Sequence, residues 1–187
     1  MTNPVRLARH SPQVAALLED AGWVSPGRGG RPLFVIGFRS CGDTVRLKAA
    51  LFDDLLAAGV DIRLITIARR DQDGVAKSTA VERTTVAELW LHREWALAER
   101  WEATPVADWT AQGIPPANGD PARSAAVEAG RDLIDALTPL LLDAGVVEDR
   151  FCYPTLFWPD EDGWKALVCE SPDTWPVVRK AFGLQPV

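Results

Sequence analysis

The sequence predicts an α/β domain in which a βαβ unit, a run of helices and a ββα unit follow one another. Three observations carry this expectation. Residues 33–38 (LFVIGF) form a continuous apolar run with Val and Ile, the pattern of a strand buried on both faces. Leu47, Leu51 and Leu55 then recur one helical turn apart. Near the far end, two apolar stretches flank the acidic segment DEDG at 160–163, which is hairpin spacing.

Taken in order, Ser11-Pro12 reads as a helix N-cap followed by a first-turn proline, so a helix is expected over about residues 12–21. SPGRGGRP at 25–32 is a loop by composition. After the strand at 33–38, a helix is expected over 43–58, with Phe52 and Leu56 widening its apolar stripe and Gly59 as its C-terminal cap. DIRLITIA at 61–68 alternates and is β-rich, so it reads as a second strand, parallel to the first through a helical crossover. Residues 84–103 read as one helix with Val86, Trp90, Leu97 and Trp101 on its inner side, and 104–122 as a long loop. Helical spacing resumes over 123–144, with a break or kink expected at Pro139 because proline removes a backbone donor. Strands at 155–158 and 164–169 and a helix over 171–182 close the chain. The expected organisation is one domain over 1–187, with a βαβ half at 33–70, a helical insertion at about 75–148 and a ββα half at 151–183.

A chain of 187 residues can bury one sizeable core, and 47% hydrophobic with 25% charged residues is globular composition. A formal net charge of −6 argues against nucleic acid as a partner; the densest basic spot, Arg69-Arg70, reads as a solvated strand end. No apolar run approaches the roughly 20 residues that span a bilayer, so no membrane segment is expected. Arg6 and Arg9 are not followed by an uninterrupted hydrophobic stretch, as a signal peptide requires. The expected compartment is therefore the cytoplasm, or the periplasm if a leader has been removed. Cys41, Cys152 and Cys169 are an odd count without close spacing, and His10 and His92 are isolated. Neither a disulfide framework nor a zinc site fits, and no metal or cofactor is expected. Of eight tryptophans, Trp90 and Trp101 read as core, whereas Trp95, Trp109 and Trp175 are candidates for an exposed protein-binding patch.

Three stretches then align with a known arrangement. CGDT (41–44) sits at a strand-to-helix junction, YPT (153–155) opens the hairpin, and ELWLHREWALAERWEA (88–103) lies between. Together with CGDTVRLKAALFDDLLAAGVDIRLITIARRDQD, they resemble the catalytic domain of bacterial periplasmic disulfide isomerases and reductases of the DsbC/DsbG type, over about residues 33–183. The resemblance implies a thioredoxin-like fold, βαβ then ββα, with a helical insertion between the halves. It also implies a reactive cysteine at Cys41 and a cis-proline at Pro154. In that family the backbone before the proline pairs with bound peptide, which assigns substrate contact to Tyr153 and Pro154, with Gly42 and Asp43 beside the cysteine. Thr44 stands where the family has its second, resolving cysteine. Only about 32 residues precede the first strand, where family members carry a dimerisation domain.

Cys41 is expected near a helix N-terminus, where unpaired N–H groups and the dipole favour the thiolate. Arg39 would add to this if it turned toward the sulfur. Asp43 works against it by competing for those N–H groups and repelling a thiolate. Thr44 offers a hydroxyl donor to the sulfur and is counted with Cys41 in the catalytic set; the plainer role for Asp43 and Thr44 is helix capping. Cys152 is either a resolving thiol or a small buried residue, and Cys169 reads as structural. The leading expectation is monothiol exchange at Cys41, with mixed disulfides to glutathione or a protein, in a monomer or weak dimer. The alternative is a redox-inactive module that binds protein or peptide around Tyr153. A full disulfide isomerase comes third, since Thr44 cannot resolve a bound substrate.

Overall fold

The computed structural model describes residues 3–185. Its strands are β1 (Val5–Arg6), β2 (Pro32–Gly37), β3 (Asp61–Thr66), β4 (Thr155–Asp160) and β5 (Gly163–Val168). Its helices are α1 (Ser11–Asp20), α2 (Gly42–Ala57), α3 (Ala80–His92), α4 (Trp95–Ala103), α5 (Pro121–Asp143) and α6 (Trp175–Ala181), with 3₁₀ turns at Ala8–His10 and Pro172–Thr174. The protein is α/β, with one mixed sheet in the order β1-β5-β4-β2-β3. β2 and β3 run parallel, and β2 with β4, β4 with β5 and β1 with β5 run antiparallel.

Strand alternation sends the side chains of β2 into two separate cores. Leu33 and Val35 join Leu47, Leu51 and Leu55 of α2 and the apolar faces of α3 and α4. Phe34 and Ile36 join Val14 and Leu18 of α1 and Leu133, Leu137 and Leu141 of α5. All four β2 residues are fully buried, each stabilising the fold by about 1.5–3 kcal/mol. β3 is covered likewise, with Ile62 and Leu64 on one side and Ile65 on the other, so it too is buried on both faces. α2 ends at Gly59, whose φ of 79° takes the left-handed turn while its N–H donates to the Leu56 carbonyl.

Several expectations are corrected. The helix expected over 84–103 is two helices. Arg93, at φ 55°, breaks the run, and its guanidinium donates to the Ala21 carbonyl at 2.9 Å while lying over the Trp23 ring. α3 starts four residues early, on a capping box in which Thr79 Oγ1 accepts from the Glu82 N–H and the Glu82 carboxylate accepts from the Thr79 N–H. α5 runs unbroken through Pro139; the lost donor costs one bond to the Asp135 carbonyl, and the flanking turns hold. Ser11 is not an N-cap: it is the first residue of α1, and its Oγ accepts the Trp164 N–H at 3.0 Å, fastening α1 to β5. The segment expected as one closing helix is the 3₁₀ turn followed by α6. The hairpin loop is two residues, Glu161-Asp162.

β1 had no signal in the sequence beyond two residues, Val5 opposite Ala166 and Arg6 opposite Lys165. On the far side of the sheet, Val24 makes an isolated antiparallel bridge to Leu64 of β3. The tryptophan patch does not exist: Trp95, Trp109 and Trp175 all pack against the α2-side core, and Trp109 Nε1 donates to Thr85 Oγ1 at 2.8 Å. No described helix is long and apolar enough to cross a membrane.

The first turn of α2 lies directly on the end of β2. A Cβ at Gly37 would sit 2.7 Å from Thr44 Cγ2 and 2.8 Å from Thr44 Oγ1. Gly37→Ala is therefore expected to lower stability by about 1–3 kcal/mol in urea denaturation. Adding Thr44→Ala should recover most of that loss; equal stability of the single and double variants would show that this contact is not the cause.

Candidate functional site

β2 delivers the chain at Gly37 into a tight turn, in which the Cys41 N–H donates to the Phe38 carbonyl at 3.1 Å. Cys41 is the N-cap of α2: its backbone is extended, at φ −77° and ψ 113°, and its carbonyl accepts the Val45 N–H at 3.0 Å. Its side chain does not cap the helix. Instead Sγ lies 3.8 Å from the carbonyl oxygen of Tyr153, within donor range for a thiol. The Tyr153–Pro154 peptide bond is cis. The turn that carries it is held by Thr155 Oγ1 donating to the Cys152 carbonyl at 2.7 Å and by the Cys169 N–H donating to the Pro154 carbonyl at 2.8 Å.

Cys41, Cys152 and Tyr153 line one cleft of about 580 Å³. Its aromatic wall is built by Tyr153, whose ring meets Phe38 edge-on at 5.1 Å and Phe151 at 5.0 Å. Cys41 is only 8% exposed, so the sulfur sits at the floor of the cleft rather than on the surface. Pro154 is buried behind it. Burial pushes the Tyr153 phenol well above its ordinary range, with Arg69 opposing. Burial also pushes the Cys152 thiol up, helped by the negative charge of Glu170.

The other residues expected at the site go elsewhere. Gly42 is exposed at the start of α2. Asp43 pairs with Arg46 one turn on and makes no capping bond to the helix N–H groups. Thr44 neither caps the helix nor donates to Cys41; it is 1% exposed, packs on Gly37, and its hydroxyl has no partner. Arg39 does not turn toward the sulfur. It is buried and donates to the carbonyls of Trp101, Glu102 and Thr104, where the C-terminus of α4 favours a cation.

One feature of the surroundings was missed by sequence reasoning. Lys48 pairs with Glu102 at 2.7 Å, and Arg39 lies 3.8 Å from the same carboxylate. Burial pulls the Lys48 ammonium below its ordinary range, with Glu102 opposing that pull. The signal was present: Lys48 lies between Thr44 and Leu51 on the buried stripe of α2, where an apolar residue would be expected. Among the described residues, no group of three or more His, Cys, Asp or Glu side chains is placed to hold a metal ion.

Cys169 lies outside the cleft, and burial pushes its thiol up to about 11, with the Thr174 hydroxyl opposing. A thiol raised in the folded state contributes stability that is fully present below its unfolded value and is lost as pH rises through the folded one. Between about pH 9 and 11, Cys169 is expected to cost the fold about 3 kcal/mol. Cys169→Ala should flatten the fall in unfolding free energy over that interval; an unchanged slope would rule the thiol out as its source.

No protein-family model matches the chain, and no curated protein sequence matches it.

Proposed function

We propose that the chain is a thioredoxin-like protein that carries out monothiol thiol–disulfide exchange at Cys41. The observation that carries the proposal is the position of its sulfur: at the N-cap of α2, on the floor of a cleft, 3.8 Å from the Tyr153 carbonyl. The parallel β2–β3 pair around α2, the antiparallel β4–β5 hairpin and the three helices between them support the thioredoxin-like reading. So does the resemblance of CGDT and YPT to the DsbC/DsbG-type catalytic domains.

The Cys41 thiolate attacks one sulfur of a glutathione or protein disulfide. A bond forms between Sγ and that sulfur as the original S–S bond breaks, and the other half leaves as a thiolate that takes a proton from water. A second thiol from solution then attacks the substrate sulfur of the mixed disulfide and releases Cys41 as thiolate. Thr44 cannot take the place of the second thiol, so reshuffling of a bound substrate is not expected. The burial of Cys41 favours one other reading, a redox-inactive module that holds a peptide along the Tyr153 backbone.

Alkylation by iodoacetamide against pH, followed separately for each cysteine by peptide mass, tests the proposal. Cys41 should be alkylated in the folded protein, and faster than the buried Cys169 outside the cleft. Oxidised glutathione should add one tripeptide, lost in Cys41→Ser and kept in Cys152→Ser. Alkylation of Cys41 only on unfolding, with no glutathione added, would leave the peptide-binding module.

A further inference from the structure

Five cations line the cleft beside Cys41, and two of them meet no carboxylate among the described residues. Most of its cations are matched. Arg70 meets Glu128, Asp132 and Asp135; Arg131 meets Glu128; and Arg150 meets Asp149. Arg69 and Lys77 meet no carboxylate among the described residues. Glu170, the remaining acid of the cleft, acts on Cys152.

Arg69 is held in place without being satisfied. Its guanidinium stacks over the Phe38 ring at 4.0 Å, and Nη2 donates to the Lys77 carbonyl at 3.1 Å. Its Nε is enclosed without a partner, and Nη1 makes no hydrogen bond among the described residues. The same bond brings the Lys77 backbone against Arg69, so the two cations belong to one corner of the cleft. That corner adjoins the sulfur: Phe38, whose ring lies under the Arg69 guanidinium, accepts the Cys41 N–H through its carbonyl, and Arg69, Lys77 and Cys41 line the same cleft. A fixed guanidinium with Nη1 left to donate complements a carboxylate, and a nearby ammonium adds a second positive charge.

We propose that Arg69 and Lys77 form a carboxylate-binding subsite beside Cys41, so that the small thiols and disulfides exchanged there are carboxylate-bearing ones. The proposal rests on the exchange reading for its chemistry, but the subsite binds whether or not the sulfur reacts. The exchange itself is unchanged: the incoming S–S bond breaks as the bond to Sγ forms, and the leaving half departs as a thiolate.

Two measurements separate the subsite from the chemistry. S-methylglutathione, whose blocked sulfur cannot exchange, should bind the protein about tenfold more tightly than its diethyl ester, with a preference that shrinks as salt is added. Arg69→Gln with Lys77→Gln should erase that preference. In the second measurement, 3,3′-dithiodipropionate should modify Cys41 about tenfold faster than neutral 2-hydroxyethyl disulfide. In the double variant the ratio of the two rates should fall toward one, and an unchanged circular dichroism spectrum and thermal midpoint show that it is folded. Equal binding of the acid and its ester, or no binding of either, overturns the subsite. Inertness of Cys41 to both disulfides, with the binding preference intact, overturns the exchange reading and leaves the subsite standing.

Discussion

The approach of α2 to the end of β2 is the constraint from which the rest of the site follows. β2 is an interior strand between β4 and β3, buried on both faces, so its direction is set by two cores at once. At Gly37 it has no side chain, and Thr44 occupies that space. The first turn of α2 is thereby seated on backbone, and Cys41 is carried to the position where its sulfur meets the Tyr153 carbonyl. A bulkier residue at either position would move the helix start, and the sulfur with it.

Behind that turn lies a second support of a different kind. Arg39 and Lys48 share the Glu102 carboxylate, and Arg39 also takes the last carbonyls of α4. Taking charges out of water is costly, and their mutual attraction offsets that cost only when partners are closely placed. The return is geometrical: α2 and α4 are held in one relation across the inserted helices. Arg39 is thus committed to structure, and the uncommitted cation near the sulfur is Arg69, from the segment after β3.

What could be read from the sequence was whatever local pattern and burial agreed upon. Leu33 to Ile36, the Leu47-Leu51-Leu55 stripe and Gly59 each state their role in their own neighbourhood. The division between α3 and α4 does not, because Arg93 is held in the left-handed region by the Ala21 carbonyl and the Trp23 ring, more than sixty residues earlier. Pro139 misled for the opposite reason: one missing hydrogen bond is outweighed by Leu133, Leu137 and Leu141 packing along the same helix. At the site, CGDT and YPT located Cys41 and Tyr153, but side-chain direction decided the remainder. Asp43 turned outward, Thr44 inward, and Arg39 away, and none of these follows from spacing.

The two ends of the sheet bear on how copies of this chain behave toward one another. An exposed edge strand presents unpaired N–H and C=O groups to any passing strand, which is a route to aggregation. Here β5 is covered by the two residues of β1, and β3 is interrupted by the single bridge from Val24. Neither cover is long enough to be an edge template itself. A strand from another copy that paired along either edge would therefore have to displace β1 or the Val24 bridge first.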